Sequence, residues 1–216
     1  MIGRQILVAA RLADVFLRKH GHSKKRRSLP VDGRDDFQPW LTYPMIEFLN
    51  GLDLSEKSVL EFGAGGSTLY WARRSKEVIS VELDQEWANK LASCAPPNVT
   101  IIHEPDGGKY PEIPRQFSRA FDVILIDGAE RYRSSITALD MLAESGMIIL
   151  DNAEWYPNCC DLLGENLIEM PFSGFAPLNA FTSTSTAFLR RSFSFQRGSR
   201  SPPIGGRMLK ALDDSG

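Results

Sequence analysis

Val59-Leu60-Glu61-Phe62-Gly63-Ala64-Gly65-Gly66-Ser67-Thr68 is the stretch on which the reading of this chain turns. An apolar run short enough for one buried strand gives way to glycines at 63, 65 and 66, and Leu69 to Arg73 then continues as a helix. Glycines at such a turn allow positive φ and let a ligand come close to the backbone, next to the free N–H groups of a helix start. By itself the pattern fits several nucleotide-type ligands, NAD among them, or no ligand at all.

Working outward, short apolar strands are predicted at Ser58 to Phe62, Val78 to Val81, Val99 to His103, Phe121 to Ile126 and Met147 to Leu150. Helix-sized segments separate them, the alternation of a parallel sheet covered on both faces. Ile136, Leu139, Met141 and Leu142 suit a covering helix that ends before Gly146, and Tyr43 to Asn50 reads as a helix stopped by Gly51. After residue 167 the alternation is lost. The extended segments Ile168 to Phe175 and Thr184 to Arg191 then predict an antiparallel hairpin closing the sheet edge. Acidic residues recur at strand ends: Glu82 stands about 20 residues beyond the turn, where a carboxylate takes ribose hydroxyls, and Asp127 ends the fourth strand.

In this order the motifs resemble those of the class I S-adenosylmethionine-dependent methyltransferases over roughly residues 40 to 191. The resemblance implies a Rossmann-like α/β fold: a seven-stranded, mostly parallel sheet with helices on both faces and a C-terminal antiparallel hairpin. It implies S-adenosylmethionine as cofactor, with Glu61, Gly63, Gly65, Ser67, Thr68, Glu82, Asp106 and Asp127 on the cofactor side. Glu82 would be the ribose anchor and Asp106 would stand near adenine. Against NAD, Thr68 replaces the third glycine of the dinucleotide fingerprint, and Glu61 has no evident role in a dehydrogenase.

For the acceptor, Asp127 and the pair Asp151-Asn152 fall at one sheet edge and offer oxygen ligands suited to Mg²⁺. This is similar to the cation-dependent O-methyltransferases, which implies Asp127, Asp151 and Asn152 as metal ligands. The chain departs from that pattern where a lysine base would follow the first Asp, since it reads Asp127-Gly128-Ala129-Glu130-Arg131. Asp127 and Glu130 are therefore the catalytic candidates, and Arg131 is a candidate for an acidic acceptor. The alternative has Asp127 holding the methionine ammonium and Asp151 capping a helix. Trp155, Tyr156, Phe172, Phe175 and Phe181 are either acceptor-pocket wall or core, and Trp40 and Tyr43 are candidates for a lid. His103 reads as a structural histidine before it reads as a base. Cys159 and Cys160, with no histidine paired to them, read as structural.

The 216 residues suit one domain, and a net charge of −2 singles out neither an acidic nor a basic partner. Three cysteines, two of them adjacent, are no disulfide framework, so a cytoplasmic home is expected. Three parts are predicted: an amphipathic helix with a basic, polar linker (1–36), a methyltransferase domain (37–195) and a tail (196–216) in which Met208 to Leu212 forms a docked turn. The N-terminal helix and Lys24 to Arg27 leave contact with a membrane surface or RNA as a rival to a plain solvated face. No nucleic-acid-reading motif is present and no nucleic acid partner is expected. The expected activity is O-methylation of a small hydroxylated acceptor, such as a saccharide or natural-product intermediate. Its rivals are an aminopropyl transferase and a catalytically silent nucleotide-binding module.

Overall fold

The computed structural model describes residues 2–198 and 203–206. Seven strands form one sheet: β1 (Ser58–Phe62), β2 (Glu77–Glu82), β3 (Val99–His103), β4 (Phe121–Ile126), β5 (Leu142–Leu150), β6 (Ile168–Phe175) and β7 (Thr182–Leu189). Their spatial order is β3-β2-β1-β4-β5-β7-β6, with β1 to β5 parallel and β7 antiparallel to both β5 and β6. The expected hairpin is therefore inserted with its second strand innermost.

Both faces of the central strands are apolar because both are covered. Leu60, Phe62, Ile124, Ile126, Ile148 and Leu150 pack on one side with Tyr110, Met141 and Leu163. Val59, Val123, Leu125, Met147 and Ile149 pack on the other with Leu49, Tyr70 and Trp71. The covering helices are α2 (Tyr43–Asn50), α3 (Gly66–Ala72), α4 (Gln85–Ala92), α5 (Arg131–Met141) and α6 (Pro157–Gly164), preceded in the chain by α1 (Ile2–Ala13), which runs on as a wider π-type turn over Asp14–Lys19.

Several boundaries differ from the sequence expectation for identifiable reasons. Leu142 belongs to β5, not to the helix before it, because it pairs with Phe121 directly after α5 ends. Gly146 lies inside that strand at a crowded point, where an added Cβ would stand 2.7 Å from the Asp122 carbonyl oxygen. The hairpin's second strand runs over 182–189, which leaves Arg190 and Arg191 outside it. The supposed linker is folded. Lys25–Arg26 pairs with Leu29–Pro30 in a small ladder whose turn residues, Arg27 and Ser28, both have positive φ, and Leu29 and Val31 are buried. The start of the tail is tied down as well, the Gly198 N–H donating to the Gly51 carbonyl; Met208 to Leu212 lies outside the described residues.

Candidate functional site

Register brings the C-terminal ends of four strands level. Phe62 is the partner of both Val81 and Ile126, and Ile126 is the partner of Leu150, so Gly63, Glu82, Asp127 and Asp151 emerge at one edge. Beyond that edge lies a cleft of about 760 Å³, lined by the turn Gly63 to Ser67, by Glu82, Asp127 and Gly128, by Asp84, Glu86, Trp87 and Lys90 of the α4 region, and by Ser28, Leu29, Pro30 and Trp40. The size is that of a small-molecule site.

The turn is shaped by close backbone approach. Gly63 has φ +98°, and a Cβ there would stand 2.8 Å from the Gly128 Cα, so the glycine turn and the Asp127-Gly128 segment lock against each other. Gly65 is different. Its backbone is extended, and a Cβ would meet nothing closer than the Ser67 Oγ at 3.7 Å, so glycine there leaves room on the cleft side. The Gly65 N–H donates to the Thr68 Oγ1 at 2.9 Å, which pins the turn to the first turn of α3.

Glu82 connects this turn to the loop after β2. Its Oε2 accepts from the Ala64 N–H at 2.9 Å and its Oε1 from the Asp84 N–H at 2.8 Å. Trp87 donates its indole N–H to the Ala64 carbonyl at 2.6 Å, fixing the same loop from α4.

Glu61 lies beneath the turn, fully buried, away from the cleft wall. Ser80 donates to its Oε2 at 2.6 Å, while its Oε1 has no hydrogen-bond partner. Burial outweighs the bonds and pushes its pKa up to about 7. Because the folded state holds this proton more tightly than the unfolded state does, the stabilisation is complete below about pH 4 and is lost as pH rises to about 7. The shift sets an upper limit of about 3 kcal/mol. Glu61→Gln is expected to remove this loss: its melting temperature should gain several degrees on the wild type at pH 8 but little at pH 4, and parallel melting curves across that range would refute the assignment.

At the other end of the cleft, Arg131 is the organising cation. Buried at the start of α5, its guanidinium makes five hydrogen bonds: to the Asp127 carbonyl and Oδ1 and the Gly128 carbonyl, each at 3.1 Å, to the Asn152 Oδ1 at 3.4 Å, and to the Asp151 carbonyl. It also lies 4.5 Å over the Tyr156 ring. Burial first, then the Asp151 charge, push Asp127 well above the ordinary carboxylate range, with Arg131 pulling it back. Asp151 is buried and accepts from the Ser185 Oγ at 2.6 Å; burial raises it to about 6.

These contacts bear on Mg²⁺. The oxygens of Asp127 and Asn152 that a divalent ion would use already face a guanidinium, and a second cation beside it would be repelled. The arrangement does not fit the metal site expected from the sequence.

Of the remaining sequence candidates, Ser67 and Trp40 line the cleft, whereas Thr68 is buried under the turn. Asp106 accepts from the Gly108 N–H at 2.8 Å and does not reach the cleft lining, and Glu130 stands beside Gly107. Tyr43 is buried against His20 at 4.0 Å, Phe172 packs on Phe48, and Trp155 and Phe181 are exposed. His103 meets the Leu83 carbonyl at 3.2 Å. Burial pushes both thiols of Cys159 and Cys160 up, the wrong direction for a nucleophile. Leu29, Pro30, Trp87 and Lys90 were not anticipated at the site: nothing in their spacing marks them, since they reach it through the fold of two separate segments.

No protein-family model matches the chain. A probable ribosomal RNA small subunit methyltransferase A from Pyrobaculum aerophilum is 43% identical over 68 residues, 30% of each chain. Among solved structures, spermidine synthase from Thermotoga maritima is similar at TM-score 0.52 and 18% identity, over 70% of this chain and 57% of that one. The O-methyltransferase TomG from Streptomyces achromogenes, solved with S-adenosylmethionine, is similar at TM-score 0.52 and 15% identity, over 68% and 77%. The chain thus spans less than two thirds of the length of the first two relatives. The structural likenesses establish the Rossmann-like fold of S-adenosylmethionine-dependent methyltransferases, a fold that spermidine synthase shares.

Proposed function

We propose that the cleft binds S-adenosylmethionine and that the chain transfers a methyl group to a hydroxyl oxygen of a small acceptor. The charge of the cleft wall carries this reading: Glu82, Asp84, Glu86 and Asp127 line it, with Lys90 the only cationic side chain among the described lining residues. An acidic wall attracts a sulfonium and an ammonium but repels the pyrophosphate of a dinucleotide. The space left open at Gly65 fits a ligand lying along the turn.

In this reading the Gly63 to Gly65 backbone holds the methionine portion and Glu82 takes the ribose hydroxyls. S-adenosylmethionine supplies an electrophilic methyl group on a sulfonium, so no covalent enzyme intermediate is required. Asp127, lining the cleft at the end of β4, is placed to accept the acceptor's hydroxyl proton as the oxygen attacks the methyl carbon and the carbon–sulfur bond breaks. Glu130 lies outside the cleft lining, and so the proton-accepting role falls to Asp127. Aminopropyl transfer is the second reading, because the same acidic wall also attracts a polyamine.

The test is thermal unfolding with S-adenosylmethionine, S-adenosylhomocysteine, decarboxylated S-adenosylmethionine and NAD, followed by S-adenosylhomocysteine release with hydroxylated small molecules and with RNA. A ligand at one hundred times its Kd stabilises by about 2.7 kcal/mol, a readily measured shift. Stabilisation by the first two ligands and turnover with a hydroxylated small molecule are expected. Preference for the decarboxylated compound would replace the reading with aminopropyl transfer, and turnover with RNA alone would replace the acceptor. Binding without turnover would make the chain a silent module, and no shift with any of the first three would overturn the cofactor itself.

A further inference from the structure

The N-terminal arm presents apolar surface that no other described residue covers. All of residues 3–13 are exposed, with Ile6 at 64%, Leu12 at 55%, and Leu7 and Val8 near half. The arm is nevertheless mounted on the body: the Phe16 ring lies 6.0 Å from Tyr43 and 5.5 Å from Phe175. Four large apolar side chains on one twelve-residue helix are more than the scattered exposure any surface carries.

Charge is concentrated at the same end. Residues 1–27 hold eight of the chain's 25 basic residues and one of its 27 acidic ones, leaving 17 basic and 26 acidic residues in the remainder. The single acid, Asp14, is paired with Arg18 at 3.2 Å. Arg4 and Arg11, seven residues apart, share one stripe of α1, and the exposed Lys25, Arg26 and Arg27 follow.

We propose that this arm docks on an anionic lipid bilayer through the side of α1 that carries Leu7, Val8 and Leu12 together with Arg4 and Arg11, the apolar side chains seated at the headgroup–acyl boundary and the arginines reaching lipid phosphates. No helix among the described residues is long and apolar enough to cross a membrane, so the contact is one of lying on the surface. Charge complementarity selects this occupant. A second copy packed isologously through α1 would set Arg4 and Arg11 against their own equivalents. RNA would answer the charge but leave the apolar side chains in water. The acidic remainder is repelled by the same bilayer, which turns the basic end toward it. Each basic residue held at an anionic surface strengthens partitioning roughly fivefold.

The test is flotation of the full chain with vesicles of phosphatidylcholine alone and of phosphatidylcholine mixed with phosphatidylserine. Binding is expected only to the mixed vesicles, to be lost at about 1 M salt, where the screening length falls to about 3 Å. The double variant Leu7→Glu/Leu12→Glu should weaken it by roughly tenfold or more with an unchanged melting temperature, because both side chains are exposed. Arg4→Glu/Arg11→Glu provides the independent charge test. The proposal fails if neither vesicle floats the protein, if both do so equally, or if the variants float like the wild type. It fails equally if vesicles do not bind and the leucine variant instead abolishes a dimer seen on gel filtration, or if only RNA retains the chain.

Discussion

Alanine at position 82 should weaken S-adenosylmethionine binding by about two to four orders of magnitude while leaving a folded protein. Glu82 serves the site twice. Its two oxygens already hold the Ala64 and Asp84 N–H groups, so the side chain sets the distance between the glycine turn and the loop after β2. In the proposed complex, the same carboxylate accepts the ribose hydroxyls. Hydrogen bonds to a charged acceptor contribute about 1.5–3 kcal/mol each, and every 1.4 kcal/mol is about tenfold in Kd, so two lost ribose bonds give the predicted range. Folding loses less, because Glu82 stands at the cleft edge, where water can replace it at the backbone. Glu82→Gln keeps the shape and loses the charge, and should fall between the two. Calorimetric titration of the three proteins checks this; a Glu82→Ala protein that binds with the wild-type Kd would remove Glu82 from the cofactor site and leave the acidic-wall argument without its central member.

The cofactor half of the site could be read because each of its signals is local. The run Ser58 to Phe62 is buried along its whole length, so its apolar composition reported a central strand directly. Glu82 and Asp127 each follow such a run by one position or none, and parallel register then fixes them at the same edge. The hairpin was visible as a loss of helical segments after residue 167, although the sequence contains nothing that says β7 inserts next to β5.

The roof of the cleft was hidden for the opposite reason. Between residues 20 and 42 the buried positions fall in short clusters, Leu29 to Val31, Gln38-Pro39 and Leu41-Thr42 among them, made of mixed apolar, polar and proline residues and separated by polar stretches, so no period emerges. Arg27 and Ser28 adopt positive φ without glycine, so the tight hairpin turn carried none of its usual residue signal. Distance along the chain concealed the acceptor end too. The sequence offered Arg131 only as a candidate to bind an acidic acceptor, and it stands at a helix start, where the helix dipole disfavours a cation. Its partners are mainly carbonyl oxygens of residues on two different strand ends, and carbonyls have no sequence signature.

Those partners make Arg131 the residue whose loss should be felt most in the fold. Arg131→Ala leaves Asp127 and Asp151 without the cation between them and strips hydrogen bonds from three backbone carbonyls, and breaking a buried ion pair from one side costs about 3–5 kcal/mol. The melting temperature should fall by roughly 10 °C. Arg131→Lys keeps the charge but not the planar fork, so it should recover only part of this. The metal response separates a packing role from the electrostatic one. In the wild type the guanidinium occupies the approach to Asp127 and Asn152, and Mg²⁺ should not shift the melting temperature, nor should a chelator change turnover. In Arg131→Ala the same oxygens and the Asp151 carboxylate face each other unscreened, and Mg²⁺ or Mn²⁺ should restore part of the lost stability by mass action. Glycerol, or any agent that only favours compactness, should restore wild type and variant alike. A wild-type protein that Mg²⁺ stabilises and a chelator inactivates would reverse this assignment, giving Asp127, Asp151 and Asn152 to a divalent ion and requiring Arg131 to swing aside when the ion binds.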